Sequence, residues 1–287
     1  MRYAIEYESR AVFAEPVREQ HCELRVAPRE DRHQKVVVQR VATEPESAVA
    51  SYLCAFGNRV HYFDLTLPHT ELTVHLRAEV ETGLDNPFAF TPVPPGRERA
   101  WLDSEIKREP RLLDFILHHS QHTPRCDGIG ALAAAPAYDG KDWLLESVVA
   151  ARDWVAKQLE FAPHPAGEER RPLEEVLERG QGDGRDMAHA VIAVIRSWRV
   201  PARFVAGYQD VSDDADDNPA HAWAEVLIPG AGWRGFDPVY GMIANDRYVT
   251  VAVGRDAADT PSWRTAFKGE ESPEAPIIRL QMSRQEQ

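Results

Sequence analysis

The chain has 287 residues, enough for one large domain or two ordinary ones. Its 43% hydrophobic and 28% charged residues lie near globular averages, which excludes a disordered chain, and no apolar run reaches the ~20 residues that a bilayer crossing needs. With 46 acidic and 33 basic side chains the net charge is -13, so nucleic acid and anionic membrane surfaces are poor partners.

The opening MRYAIEYESR alternates in polarity and carries Glu6 and Glu8. It reads as a strand rather than a signal peptide, and a cytoplasmic location is expected. Further strands are predicted at VVVQRV (36–41), VHYFDL (60–65) and LTVHLRAEVE (72–81). In the last of these, Leu72, Val74, Leu76, Ala78 and Val80 share one face, the mark of an antiparallel sheet with one wet side. Gly57-Asn58 marks a turn. Residues 1–85 are thus expected to form a small β-sandwich. NPFAFTPVPPG (86–96) holds four prolines, so residues 86–100 read as a linker and 101–287 as the second domain.

There the period changes. Leu144, Val148, Ala151, Val155 and Leu159 recur at helical spacing, and Pro172 opens a short helix, LEEVLE. A longer helix starts near Gly184, buries Met187, Val191, Val194, Ile195 and Trp198, and ends at Arg199-Val200-Pro201. Strands follow at 203–208, 222–228, 233–237 and 248–254. The fold class predicted is α+β, an antiparallel β-sandwich followed by helices packed on an antiparallel sheet.

Chemistry concentrates at three points: the Gly-rich turn of QGDGRDMAHA (181–190), His221 in HAWAEV, and Asp237 in WRGFDP. If their strands are antiparallel neighbours, joined through Pro229-Gly230-Ala231-Gly232, Asp237 can fix the His221 imidazole as a base. Such a pair needs a nucleophile at a helix N-terminus, where the dipole lowers a thiol pKa. The cysteines do not obviously supply it. Cys22, Cys54 and Cys126 are odd in number, lack a CxxC pair, and read as reduced thiols. His189 reads as a structural imidazole between helix and loop. His118, His119 and His122 read as a wet helix face. Asp186 reads as a helix cap or a partner of Arg203. The run DVSDDADDNP (210–219) lacks the spacing of a calcium loop and reads as solvated. Asp183, Asp186, His189, His221 and Asp237 are chemically acceptable metal ligands, but no ligand spacing supports a metal, and no cofactor is expected.

The stretches PLEEVLERGQGDGRDMAHAVIAVIRSWRVPARFVAGY, HAWAEVLIPGAGWRGFDP and NDRYVTVAVGRDAAD resemble a transglutaminase-like domain of papain-like fold. YESRAVFAEPV, FGNRVHYFDL and PHTELTVHLRAEVE resemble the N-terminal β-domain of its bacterial members. The family's GxCxD pattern places its catalytic cysteine two residues before Asp186, which here is Gly184. Its histidine falls on His221 and its aspartate on Asp237. Its Thr-Asn after Asp-Pro is replaced by Val239 and Tyr240. Glycine cannot attack a carbonyl, so the resemblance implies a pseudoenzyme that binds a peptide or protein partner, with Gly182, Asp183, Asp186 and Trp223 around the pocket. The amides of the Gly182-Asp183-Gly184 turn are candidates for holding a carboxylate. Two alternatives are an active amide hydrolase or acyltransferase with Cys126 or Asp183 as nucleophile, and an assembly subunit that makes contact through the edge strands of its β-half.

Overall fold

The computed structural model describes residues 1–164, 169–210, 219–269 and 276–285. Most of the acidic run at 210–219 lies outside the described residues.

Alternation of buried and exposed side chains builds the first half from β1 (Arg2–Leu24), β2 (Gln34–Glu44), β3 (Ala50–Leu53), β4 (Arg59–Leu65) and β5 (His69–Thr82). β1 is the spine. Its first part pairs with β5, from Arg2↔Glu81 to Val12↔Glu71. After a register shift between Val12 and Val17 it continues along β4, from Gln20↔Leu65 to Leu24↔His61. One strand therefore joins both ends of a single antiparallel sheet, β2-β5-β1-β4-β3, rather than the two layers of a sandwich. Tyr3, Ile5, Phe13, Val17, Leu24, Phe63, Leu72 and Leu76 form its core. Strands β5 and β2, not consecutive in the chain, pair antiparallel in the register that leaves Val74, Leu76, Ala78 and Val80 buried, as the sequence alternation requires.

The second half holds α1 (Pro95–Arg108), α2 (Asp114–Leu117), α3 (Leu144–Gln158), β6 (Glu160–Phe161), α4 (Leu173–Arg179), β7 (Gln181–Gly182) and α5 (Gly184–Ser197). The sheet follows: β8 (Ala202–Gln209), β9 (Ala220–Ile228), β10 (Gly232–Asp237), β11 (Met242–Ile243) and β12 (Tyr248–Gly254), in spatial order β11-β10-β9-β8-β12 and antiparallel throughout. Helix α5 lies between α3 and the sheet, and Ala188, Val191, Ile192 and Ile195 are fully buried on it. Arg199 takes a left-handed conformation (φ 58) just past the helix end, and Pro201 prevents continuation. Buried Arg196 ties that end of α5 to its surroundings, donating to the carbonyls of Phe115, His118, Ala202 and Arg255.

Two further features depart from the sequence reading. The linker is shorter than residues 86–100, because α1 begins at Pro95: proline at the first helical position is favoured, and the proline run hid a helix start. The chain also returns to its first half. β13 (Trp263–Lys268) pairs with the end of β1, and β14 (Ile277–Arg284) pairs with its beginning, from Tyr3↔Arg284 to Arg10↔Ile277. A second domain running continuously from 101 to 287 therefore does not describe the chain, since its last strands belong to the first sheet.

The two halves share an interior. Tyr208, Val249, Val251 and Ala252 of the second sheet pack into the core of the first half. The outer edge of β12 is closed by side chains: Gln34 donates to the Thr250 carbonyl and accepts from its amide, and Asn58 does the same with Val253. An edge strand that would otherwise be open to pairing is thereby used up. Among the described residues no helix is long and apolar enough to cross a membrane.

Candidate active site: an imidazole and its aspartate facing Gly184

The Pro229–Gly232 turn folds β10 back against β9 as the sequence predicts. Gly230 (φ 83) and Gly232 (φ 78) occupy left-handed conformations that a side chain would strain. The hairpin places Asp237 beside His221, with His221 Nε2 2.7 Å from Asp237 Oδ2. Asp237 is wholly buried and saturated. Its Oδ2 also accepts from the Tyr248 hydroxyl at 2.7 Å, and its Oδ1 accepts from the amides of Val239 (2.8 Å) and Tyr240 (3.3 Å). Four donors hold the carboxylate in one orientation, and it in turn fixes the ring through Nε2. The Tyr248 phenol is pushed far above its ordinary pKa by burial and by the charge of Asp237, so it stays a donor.

Gly184 is the first residue of α5. A Cβ built on it would lie 3.6 Å from His221 Cε1, 3.4 Å from Val239 Cγ2 and 3.7 Å from the Ala222 carbonyl oxygen. These are ordinary van der Waals separations, so the direction in which a side chain would project is open and ends at the imidazole. With Nε2 held by Asp237, Nδ1 is the ring nitrogen left for chemistry on that side. The structure thus brings Gly184, His221 and Asp237 together.

The turn before the helix is capped by its own aspartates. Asp183 is the N-cap, its Oδ1 accepting from the amides of Arg185 (2.9 Å) and Asp186 (3.1 Å), while Asp186 Oδ2 accepts from the Asp183 amide (3.1 Å). This reciprocal capping box engages the amides of Asp183, Arg185 and Asp186. The Asp183 Oδ2 pairs with Arg170 at 2.5 Å. Burial opposes ionisation of Asp183, but Arg170 and the helix amides outweigh it and hold its carboxyl below the usual range. Asp186 is raised instead, by burial and then by the Asp183 charge. Arg203 is not its partner: that guanidinium pairs with Glu225 and lies over the Trp233 ring. Gly182 is a packing residue, since a Cβ there would come within 2.9 Å of Asp186 Cβ and 3.0 Å of Val176 Cγ1. Asp183→Ala is expected to cost about 1–2 kcal/mol through loss of the cap, read as a lower urea midpoint.

Trp223 is likewise no surface contact. It is 1% exposed, stacked behind His221 (centroids 6.2 Å, 27°) and edge-on to Tyr248 (5.2 Å, 77°). Room for it comes from Gly207, directly opposite His221 on β8, where a Cβ would lie 2.5 Å from the indole. On the open side Tyr240, 44% exposed, meets the His221 ring edge-on. Tyr248, Gly207 and Arg170 escaped the sequence reading, which noted Tyr240 only as a departure from the family's pattern. None sits in a motif, and only the strand order and the turn after Asp237 bring them to the site.

The remaining candidates lie elsewhere. Cys126 donates to the Ala193 carbonyl (3.2 Å), nine residues along α5 from Gly184 and so about 13 Å up the helix. Burial raises its pKa. Cys22 is buried in the β-half beside Thr265, its thiol pushed up to about 11 by burial. The three cysteines are free. His189 accepts from the Ala257 amide (3.1 Å) and stacks on His122, the structural role expected of it. His118, His119 and His122 are not on a helix face. α2 ends at Leu117, and His118 pairs with Asp256 at 3.0 Å. Among the described residues no group of His, Cys, Asp and Glu could hold a metal.

Burial, with a smaller contribution from His122, lowers the His189 pKa to about 3. The unfolded imidazole protonates near pH 6.5 and the folded one does not. Stability present above pH 6.5 is therefore lost as the pH falls toward 3. His189→Phe is expected to flatten this acid slope relative to the unchanged protein, in urea midpoints measured from pH 7 to pH 4.

A family model for the transglutaminase-like superfamily matches residues 133–238, and one for the bacterial transglutaminase-like N-terminal region matches residues 3–81. An uncharacterized protein of Mycobacterium leprae is 28% identical over 272 residues, covering 93% of each chain. One of Mycobacterium tuberculosis is 26% identical over 276 residues, covering 92% of this chain and 86% of its own. A Cytophaga hutchinsonii structure, solved as that of a candidate cysteine protease, superposes with a TM-score of 0.72 at 20% identity, over 99% of this chain and 90% of that one.

Proposed function

Since the chain belongs to the transglutaminase-like superfamily, we propose that it is a member whose nucleophile position, Gly184, is empty, and that it binds a peptide or protein segment without cleaving it. One observation carries the reading: the absent Gly184 side chain points at His221 Cε1 from 3.6 Å, while Asp237 holds the other side of the ring at 2.7 Å. The family's base and its orienting carboxylate are in working geometry with nothing to activate. Loss of a triad nucleophile costs on the order of 10⁶ in kcat in the well-studied cases.

An active hydrolase or acyltransferase with a different nucleophile has less support. Both Asp183 oxygens are engaged by the helix amides and Arg170, and the Cys126 sulfur bonds a carbonyl far along α5. An assembly role through the β-half would use β2 and β3, the outer strands of its sheet among the described residues; no observation favours it over the Gly184 site. A reducing, cytoplasmic setting is consistent with three unpaired thiols.

The unchanged protein, incubated with peptide anilides, esters and glutamine–amine transfer pairs, is expected to show no turnover above that of His221→Ala. Turnover that depends on His221 would overturn the reading. Peptides selected by the protein from a random library are expected to be released by Gly184→Trp, which fills the slot; equal retention would count against binding there.

A further inference from the structure

Behind the His221–Trp223 stack, on the side of the second sheet that faces the β-half, lies a cavity of about 350 Å³. It is lined by Arg29, Asp31, Arg32 and His33 of the first half and by residues of β8, β9, β10 and β12. Three nitrogens of its lining residues are buried and lack a hydrogen-bond partner among the described residues: Trp223 Nε1, Arg29 Nε and His33 Nε2. Native interiors leave few such atoms, and each costs a desolvation penalty when unmet. Trp223 is 1% exposed, so its indole N–H can be met only from within. The edge carrying that nitrogen passes Gly235, also on the cavity wall, where a Cβ would stand 2.9 Å from it.

The charge of the walls selects the ligand. Arg203 and Glu225 neutralise each other as a pair at 2.6 Å. Among the described residues Arg29 makes no ion pair: its Nη1 donates to the neutral amide oxygen of Asn58, and burial with the nearby Arg203 charge depresses its pKa, with Glu225 and Asp31 acting the other way. Asp31 and Arg32 also line the cavity, so Arg29, Arg32 and Arg203 stand against the carboxylates of Asp31 and Glu225. That excess of guanidinium, with an indole N–H and an imidazole nitrogen that lack partners, calls for an oxyanion. We propose that this inter-domain cavity is a binding site for a small carboxylate- or phosphate-bearing molecule, held by Arg29, His33 and the Trp223 indole N–H. The size suits a metabolite rather than a peptide. The site is independent of the reading of Gly184, but the two communicate, because the indole that would bind the anion is the one stacked on His221.

The test follows the indole N–H resonances of the full chain in ¹H–¹⁵N spectra, with that of Trp223 assigned by its loss in Trp223→Phe. Sodium phosphate and sodium propionate are titrated separately at ionic strength held constant with chloride. The expected result is a saturable shift of the Trp223 resonance with at least one of the two, and which one responds separates a phosphate from a carboxylate ligand. Arg29→Met is expected to weaken that response at least tenfold. His33→Phe, which leaves the Arg29–Asn58 bond in place, is expected to weaken it as well and guards against misfolding of the first variant. No saturable shift with either anion would mean that the nitrogens are met by water alone and would overturn the proposal. So would a shift unaltered in both folded variants.

Discussion

Gly184→Cys is expected to yield a thiol that alkylates at least about tenfold faster than Cys126 at neutral pH, read peptide by peptide by mass spectrometry after brief exposure to iodoacetamide. The space is present, since the added Cβ meets nothing closer than 3.4 Å. The new sulfur would sit at the first position of α5, where the helix dipole favours the thiolate, and beside an imidazole whose protonated form favours it further. Cys126 has neither aid, and burial raises its pKa. A second substitution, His221→Ala, is expected to remove most of the acceleration, leaving the dipole's share. Equal rates at positions 184 and 126 would mean that the direction open at Gly184 does not lead to the ring.

The second large effect is structural. Asp237→Ala removes a buried carboxylate and strands four donors at once: the His221 ring, the Tyr248 hydroxyl, and the amides of Val239 and Tyr240. Breaking a buried charged network by deleting one member costs about 3–5 kcal/mol. That loss is expected in ΔG from urea unfolding at pH 7. Asp237→Asn keeps an acceptor for the two amides and is expected to cost less, about 1–3 kcal/mol. A loss under about 1 kcal/mol for the alanine variant would show that the network is not held as described. The network ties β9, β10 and β12 to one another, so the expected loss is structural.

Periodicity made the helices and most strands legible. Leu144 through Leu159 marked α3, the run from Met187 to Trp198 marked α5, and YVTVAVG coincides with β12. His221 and Asp237 were legible because a short turn between two apolar strands leaves little choice but an antiparallel hairpin. β13 and β14 were not legible. Their side chains are mostly exposed, and a strand that pairs at the far end of the chain shows no local sign of its partner. The role of Trp223 was misjudged for a similar reason. Alternation along β9 sends Ala222, Ala224 and Val226 toward the helices and His221, Trp223 and Glu225 to the other face, but nothing local tells that the β-half covers that face. At the turn before α5, the reading gave Asp186 a capping role and left the loop amides free. Asp183 is the cap, and the two aspartates engage the amides of Asp183, Arg185 and Asp186 between them. A D-x-x-D pair at a helix start carries that possibility in its spacing.

The most direct measurement is the ¹⁵N spectrum of the His221 ring, recorded for the unchanged protein and for Gly184→Cys under the same conditions. The account predicts that the substitution moves the Nδ1 resonance, on the side facing position 184, while the Nε2–H signal bonded to Asp237 persists. A ring whose two nitrogens both ignore the new thiol would contradict it.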